Sequence, residues 1–167
     1  MTPIRLEDSL NDINLVKEIF SKTVVKYDFL STFLGSYIGG GIHRMVFEYN
    51  LDPTKVVKIE IDNTGSNNNE FEVWNEVRWY TGKLSYVPRW FAPCHWISPC
   101  GRIMLQSKTK PYVENEKYKP DKIPAFLTDL KPDNFGYIGK QLVCHDYPMV
   151  VCNLKLGWRS ADHISFS

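Results

Sequence analysis

The sequence predicts an α+β fold in which one helix is inserted into an antiparallel sheet. Two β-rich stretches, "FLGSYI" and "IHRMVFEYN", are joined by three glycines. A third apolar stretch, "KVVKIEI", precedes a polar loop and an amphipathic segment at 68–81. Two further stretches, "PRWFAPCHWIS" and "GRIMLQS", flank a Ser-Pro-Cys-Gly turn. Short strands bounded by glycine and proline turns favour antiparallel pairing, and the inserted amphipathic segment adds the helix.

The composition is typical of a globular protein. Of the 167 residues, 43% are hydrophobic and 23% are charged, and the formal net charge is +1. A net charge this small provides no global field that would attract nucleic acid or an anionic membrane. The apolar runs are far shorter than a membrane span, and the first residues lack the apolar stretch of a signal peptide, so we expect a cytoplasmic protein.

The four cysteines lack the close pairs that structural zinc sites use. None of Cys94, Cys100, Cys144 and Cys152 falls in a C-x2-C pair, although Cys94 and Cys144 each precede a histidine. We therefore expect buried free thiols in preference to a zinc site.

The chain divides into three predicted parts. Residues 1–30 form an N-terminal helical docking segment, because apolar residues recur at helical spacing over about 6–21. Such a helix either packs on the next element or binds a partner. Residues 31–107 contain the sheet and its inserted helix. Residues 108–167 begin with a connector rich in lysine and proline, continue through a short helical piece and one strand, and form a reduced second lobe.

The glycines between the first two strands form a candidate phosphate-binding loop. Gly39, Gly41 and Val46 match the first two glycines and the valine of G-x-G-x-x-G-x-V, a loop that covers ATP phosphates. Arg44 stands where the third glycine would be, and it would stiffen the loop or place its guanidinium on a phosphate. The alternative is a plain hairpin turn, because glycines alone are a weak signal.

Lys58, on the strand after this loop, is a candidate phosphate-binding residue. It alternates with apolar residues, a pattern that also fits a lysine facing solvent. The following helix offers Glu70, Glu72 and Glu76 as partners. Glu70 shares a face with the apolar residues of the helix, so a buried pair between Lys58 and Glu70 is predicted. The alternative for Glu70 is a favourable charge near the helix N-terminus.

The stretch "TDLKPDNFGYIGKQLVCHDYP" brings Asp129, Asn134 and Asp146 into turn-rich sequence. Oxygen ligands from a loop and from a neighbouring strand end suit Mg²⁺, which takes its other ligands from water and substrate phosphates. A further Asp can orient a hydroxyl group for attack. The alternative is a structural turn rich in Asp, Asn and Pro.

Together these stretches resemble the protein-kinase-like superfamily, and within it the compact kinase-like proteins encoded by phages and prophages. The catalytic loop of the superfamily reads H-R-D-x-x-x-x-N and is followed by D-F-G. The corresponding stretches here are "LTDLKPDN" and "HDYP", in which Leu127-Thr128 replace His-Arg and Tyr147-Pro148 replace Phe-Gly. The resemblance covers residues 33–150.

The resemblance implies that ATP and Mg²⁺ are the cofactors. The glycine loop would cover the phosphates, and Lys58 would contact them while paired with Glu70. The strand 103–107, which contains Leu105 and Gln106, would read adenine through its backbone.

The resemblance also implies catalytic roles. Asp129 would be the catalytic base, and Lys131 would steady the transferred phosphoryl group. Asn134 and Asp146 would hold the Mg²⁺ ion.

The second lobe departs from the superfamily in its size. Between Gln106 and Asp129 lie 22 residues, and 21 follow Asp146. These lengths are too short for the helices that usually hold a peptide substrate. We therefore expect the apolar groups of the reduced lobe, including Trp158, to form a homodimer or to bind a host protein.

The leading hypothesis is Mg-ATP-dependent phosphoryl transfer to an unidentified acceptor, either a protein or a small molecule. One alternative is a nucleotide-binding pseudokinase that inhibits or remodels a host protein, and another is nucleotidyl transfer on the same scaffold. Neither nucleic acid nor a membrane is expected as a partner. A phage-encoded chain of this kind would act in the host cytoplasm.

Overall fold

The structure, a computed structural model, describes residues 28, 30–113, 117–147 and 157–164. The helix predicted over 6–21 lies outside the described residues. The strands are β1 (Leu34–Gly40), β2 (Arg44–Tyr49), β3 (Lys55–Glu60), β4 (Cys94–Ile97), β5 (Ile103–Ser107), β6 (Lys110–Pro111), β7 (Lys122–Pro124), β8 (Phe135–Ile138), β9 (Gln141–Cys144) and β10 (Trp158–Ser160). The α-helix α1 spans Ser66–Val77, and short 3₁₀ turns span Gly82–Leu84, Pro88–Trp90, Pro132–Asn134 and Ala161–His163.

The first five strands form one antiparallel sheet in the order β1-β2-β3-β5-β4. Strand β3 is central, because it pairs with β2 on one side and with β5 on the other. Helix α1 follows β3 in the chain and precedes β4. The predicted α+β class, with an antiparallel sheet and an inserted helix, is therefore confirmed.

The last residue of β3 bonds the free backbone N–H groups at the start of helix α1. The carboxylate of Glu60 accepts hydrogen bonds from the backbone N–H groups of Gly65 (2.6 Å) and Asn67 (3.0 Å). Gly65 has φ of 72°, a conformation that favours glycine. The inward face of the helix carries its buried residues, Asn67, Glu70, Val73 and Val77. No helix in the described ranges is both long enough and apolar enough to cross a membrane.

The second half of the chain differs from the prediction in two places. The short helical piece predicted after Pro124 is a turn at 125–126. The residues just before it, predicted as the end of the connector, form strand β7, in which Ile123 pairs with Arg159 of β10. Strand β7 depends on its pairing with the distant β10, which the local sequence does not reveal. The single strand predicted after the Asp-Asn motif is a hairpin of β8 and β9, which turns at Gly139 with φ of 61°.

One hydrophobic core joins the two halves. Phe91 forms a parallel bridge to Cys144 at the end of β9, and Ala92 N donates a hydrogen bond to the Cys144 carbonyl (2.8 Å). The core combines side chains of α1, the Pro88–Trp90 turn and the β8–β9 hairpin. Because the halves share this core, the end of β9 is held beside Phe91 and Ala92.

The apolar residues of the second half are better covered than the sequence suggested. Ile123, Phe126, Leu127 and Phe135 are each no more than 3% exposed. Trp158 differs, being 53% exposed. The exposed apolar surface of the second half is therefore smaller than the sequence predicted, and the partner that would bind it stays a prediction.

Candidate functional site

A cleft of about 710 Å³ lies between the five-stranded sheet and the second half of the chain. Small-molecule sites commonly enclose about 300–1,000 Å³, so the cleft is large enough for a nucleotide-sized ligand. Most of the predicted site residues line it, namely Gly39, Gly41, Val46, Lys58, Gln106, Asp129, Asn134 and Asp146. Glu70, Leu105 and Lys131 are not part of its lining.

The glycine hairpin forms one wall of the cleft, and its three glycines serve different purposes. A Cβ atom added at Gly40 would lie 2.4 Å from the Arg44 carbonyl oxygen, so the close approach of β1 to β2 requires glycine there. A Cβ atom at Gly39 or Gly41 would meet no described atom within 4 Å. The hairpin therefore needs Gly40 for its shape, whereas Gly39 and Gly41 leave free space in the cleft.

The side chain of Lys58 enters the cleft from β3. Its position opposite Val46 on β2 and Met104 on β5 fixes which face of the sheet it occupies. Lys58 Nζ lies 2.6 Å from Glu70 Oε1 and also donates to the carbonyl oxygen of His145. Lys58 is only 4% exposed, so the alternative of a lysine facing solvent is wrong.

Glu70 is the predicted partner, and it has more contacts than the sequence suggested. Its carboxylate is fully buried and accepts hydrogen bonds from Lys58, Arg44 and Gln106. Buried ions are tolerated where such partners compensate for lost hydration. By contrast, Glu72 and Glu76 are exposed.

Arg44 joins two carboxylates from opposite sides of the cleft. One terminal nitrogen lies 2.7 Å from Glu70 Oε2, and the other contacts Asp146 Oδ1. Burial opposes the charge of Arg44, but Glu70 and Asp146 outweigh it and raise the pKa of the guanidinium above its usual value. The sequence suggested a loop arginine that stiffens the turn or binds phosphate, whereas the structure pairs it with protein carboxylates.

The four charged groups at this point sum to zero. Arg44 and Lys58 contribute two positive charges, and Glu70 and Asp146 contribute two negative ones. Burial favours protonation of Asp146, but Lys58 and Arg44 outweigh it and hold the pKa of that carboxyl below its usual value. Asp146 is therefore an anion whose side chain is still 40% exposed.

The β8–β9 hairpin brings Asn134 and Asp146 together. Phe135 at the start of β8 pairs with Cys144 at the end of β9, so the flanking residues meet at the open end of the hairpin. His145 N donates to the Asn134 carbonyl (2.8 Å). The neighbouring Asn134 and Asp146 then line the same end of the cleft.

The side chain of His145 fixes the geometry of this end. Its Nε2 lies 2.8 Å from the Asp133 carbonyl oxygen, and its Nδ1 lies 2.9 Å from Thr109 Oγ1. Since a carbonyl oxygen can only accept, Nε2 carries the proton and Nδ1 accepts from the threonine hydroxyl. Burial and the nearby Lys58 lower the pKa of His145 and favour this neutral form.

The predicted catalytic residues occupy different positions relative to the cleft. Asp129 is exposed and lines the cleft, and its carbonyl oxygen accepts a hydrogen bond from Asn134 Nδ2 (3.4 Å). Lys131 is also exposed, but it precedes the Pro132–Asn134 turn outside the lining. The structure therefore places Asp129, but not Lys131, with the other predicted residues.

Strand β5, predicted to read adenine through its backbone, has few free backbone groups to which a ligand could bond. Strand β5 pairs with both β3 and β4, so its backbone groups already have partners. Leu105 alternates with Gln106 along β5 and does not line the cleft. The lining continues beyond β5 with Lys108 and Thr109.

Gln106 is one of the two residues of β5 that line the cleft, with Ser107, and Gln106 is 1% exposed. Its Nε2 must be the atom facing Glu70, because a carboxylate only accepts. Its Oε1 has no hydrogen-bond partner among the described residues.

Sequence reasoning missed several lining residues. Val56 lies two residues before Lys58 on the same face of β3, and Phe135 follows Asn134 directly. Strand alternation was the signal that could have identified Val56. The ion pair between Arg44 and Asp146 had no such signal, because the two residues are 102 positions apart.

Two of the three described cysteines are the predicted buried thiols, whereas Cys100 is exposed. Cys94 and Cys144 are free, and burial raises the pKa of Cys94 to about 12 and also raises the pKa of Cys144. Within the described ranges, no group of three or more His, Cys, Asp or Glu side chains could hold a metal ion. A metal at Asn134 and Asp146 would therefore need further oxygen ligands from water or from a substrate.

Comparison of the chain with protein-family models finds no match, and comparison with curated proteins finds no significant similarity.

Proposed function

We propose that this protein is a kinase-like nucleotide-binding protein that transfers a phosphoryl group from ATP in the presence of Mg²⁺. One observation carries the proposal: Lys58, which is paired with buried Glu70, lines the same cleft as Asp129, Asn134 and Asp146. In protein kinases, a strand lysine paired with a helix glutamate and a metal-binding aspartate must both be in place for catalysis.

The wall of the cleft formed by β2, β3 and the glycine hairpin supports a role in nucleotide binding. Val46 and Val56 provide apolar surface beside Lys58, which suits a planar base and the adjoining phosphates. The free space at Gly39 and Gly41 suits the close approach of a phosphate to backbone N–H groups. Because the backbone of β5 is already paired and Lys108 N already bonds the Thr54 carbonyl (2.8 Å), we assign the reading of the base to Thr109, which follows.

The donor set fits a magnesium ion. An ionised carboxylate at Asp146 and an amide oxygen at Asn134 are the hard ligands that Mg²⁺ prefers. When bound, Mg²⁺ would neutralise phosphate charge as it develops during transfer. The zero net charge of Arg44, Lys58, Glu70 and Asp146 supports a requirement for Mg²⁺, since nothing else in that cluster balances a triphosphate.

The chemical step would use residues of both halves. Asp129 would accept the proton of the acceptor hydroxyl as its oxygen attacks the γ-phosphorus. The bond from phosphorus to the bridging oxygen of ADP would break as the new bond forms. Lys58, held by Glu70, would keep the phosphates in line. Lys131 lies outside the lining, so its predicted contact with the transferred group requires its side chain to turn inward.

The experiment that tests this function is calorimetric titration of ATP with and without Mg²⁺. Wild-type protein should bind ATP more tightly with Mg²⁺, and Asp146→Asn should lose that difference while remaining folded. The matched control is Asp121→Asn, an exposed aspartate outside the lining. Unchanged Mg²⁺ dependence in folded Asp146→Asn would refute the metal assignment, and absence of ATP binding in the wild type would refute the function.

A second candidate is a nucleotide-binding pseudokinase. The contact between Arg44 and Asp146 favours it, because a cation of the protein already occupies the carboxylate proposed for metal binding. Labelled ATP and mass analysis of products from a lysate separate the outcomes. A mass increase of one phosphoryl group supports the kinase, a nucleotidyl increase indicates nucleotidyl transfer, and binding without product indicates the pseudokinase.

A further inference from the structure

Arg44 holds together groups that the proposed function requires to act separately. Its guanidinium bridges Glu70, which positions Lys58, and Asp146, which is proposed to hold metal. The Arg44 side chain is 10% exposed, so these contacts lie in a site where charges are weakly screened. The position of Arg44 also depends on the glycine hairpin, because Gly41 N bonds the Arg44 carbonyl (2.9 Å).

Two cations cannot share Asp146 without cost. A divalent ion at this carboxylate would lie beside the guanidinium nitrogen that contacts Asp146 Oδ1, and like charges at that distance repel each other. The ion therefore binds more tightly once that nitrogen has left Asp146. The other nitrogen has its own acceptor in Glu70 Oε2 at 2.7 Å, so the side chain can stay anchored while its outer end moves.

A nucleotide phosphate provides the alternative acceptor. Arg44 lines the cleft beside Lys58 and the glycine hairpin, where the phosphates would lie under the proposed function. A planar guanidinium binds phosphate oxygens as well as it binds carboxylates. Its transfer from Asp146 to a phosphate would free the carboxylate for the metal.

We propose that Arg44 couples nucleotide binding to metal binding by occupying Asp146 until phosphate displaces it. The inference rests on the proposed function and adds to it an order of events: Asp146 binds a divalent ion weakly in the free protein and tightly once the nucleotide has engaged Arg44. The coupling is reciprocal, so metal tightens the nucleotide by the same factor.

Titration with Mn²⁺, followed by electron paramagnetic resonance of the free ion, tests this inference without measuring turnover. The titrations use wild-type protein, Arg44→Gln and Asp146→Asn, each with and without a non-hydrolysable ATP analogue. Arg78→Gln is the matched control, since this exposed arginine lies outside the cleft lining. Circular dichroism establishes that each variant is folded, and Arg44→Lys replaces Arg44→Gln if the latter does not fold.

Without nucleotide, Arg44→Gln should bind Mn²⁺ about ten-fold more tightly than the wild type, within the usual range of coupling between sites. The analogue should tighten Mn²⁺ binding in the wild type by a larger factor than in Arg44→Gln, and Asp146→Asn should bind weakly throughout. Equal or weaker Mn²⁺ binding by folded Arg44→Gln overturns the inference while nucleotide binding stands. Failure of every variant to bind the analogue overturns the proposed function instead, and the coupling with it.

Discussion

Lys58 Nζ and Glu70 Oε1 lie 2.6 Å apart in the interior, but Glu70 has two further donors whereas Lys58 has one further acceptor. The pair is therefore asymmetric. Removing Lys58 leaves the carboxylate with Arg44 and Gln106, whereas neutralising Glu70 leaves two buried cations facing an amide.

This asymmetry predicts unequal losses of stability. Glu70→Gln should lower the free energy of unfolding by about 3–5 kcal/mol, the usual cost of breaking a buried ion pair, and Lys58→Met should lower it by less. The double variant should lose less than the sum of the two, as measured by urea unfolding. Exposed Glu72→Gln serves as the control and should change little. Strictly additive losses would show that the two residues do not stabilise each other.

The glycine hairpin predicts that a substitution at one glycine lowers stability, whereas substitutions at the other two weaken ATP binding. Gly40→Ala should destabilise the protein by about 1–3 kcal/mol, because its Cβ would press on the Arg44 carbonyl. Gly39→Ala and Gly41→Ala should change stability by less than about 0.5 kcal/mol yet weaken ATP binding, because they fill space in the cleft. Thermal melts and calorimetry measure the two effects. Equal ATP affinity in all three folded variants would argue against phosphates at this wall.

The start of α1 predicts a dependence of stability on pH. Burial favours protonation of Glu60, but the backbone N–H groups of Asn67 and Gly65 outweigh it and lower the pKa of that carboxyl below its usual 4.5. A carboxyl whose pKa is lower in the folded state stabilises the protein above its unfolded pKa. This contribution is lost as the pH falls through the folded value.

Glu60→Gln should therefore reduce stability near neutral pH by about 1 kcal/mol, as the loss of a helix cap does. The difference between the variant and the wild type should shrink as the pH falls below 4.5, the ordinary value of the glutamate carboxyl. Urea unfolding at several pH values measures it, with Glu72→Gln as the control. A difference that stays constant down to strongly acidic pH would contradict the assigned role of Glu60.

The exposure of Trp158 predicts whether the reduced second half of the chain associates with another molecule. Its ring stacks on Tyr86 at 5.4 Å and meets Trp90 at 6.1 Å, yet it is 53% exposed. We expect self-association or partner binding through this surface, and Trp158→Ala should weaken it. Trp79→Ala is the matched control, because Trp79 is 72% exposed elsewhere on the protein. Sedimentation that finds a strict monomer at high concentration, together with no captured partner, would contradict the expectation.

Local patterns predicted much of this fold, because they depend on residues close in sequence. Alternation identified β3, and helical spacing placed Glu70 on the inward face of α1. The hairpin of β8 and β9 and the strand β7 were missed, since β7 is defined by pairing with the distant β10. Short apolar segments do not by themselves reveal such partners.

The sequence predicted which residues belong to the candidate site better than it predicted the contacts between them. Motif spacing brought Asp129, Asn134 and Asp146 to one cleft. The roles of Arg44 and Gln106 depend on where Glu70 and Asp146 meet in space, which no pattern in one sequence specifies. Leu105 was included as part of the strand expected to read adenine through its backbone, but strand alternation turns it away from the cleft.

The core shared by the two halves, with its link from Ala92 to Cys144, has a consequence for motion. Halves that share a core have no independent hinge, so the cleft cannot open by domain rotation without exposing that core. The part best able to move is the hairpin of β1 and β2, because β1 is an edge strand among the described residues. Hinge motions of whole domains take microseconds to milliseconds, whereas loop motions are faster. A ligand would then enter this cleft through a local opening of the β1–β2 hairpin, while the rest of the cleft stays in place.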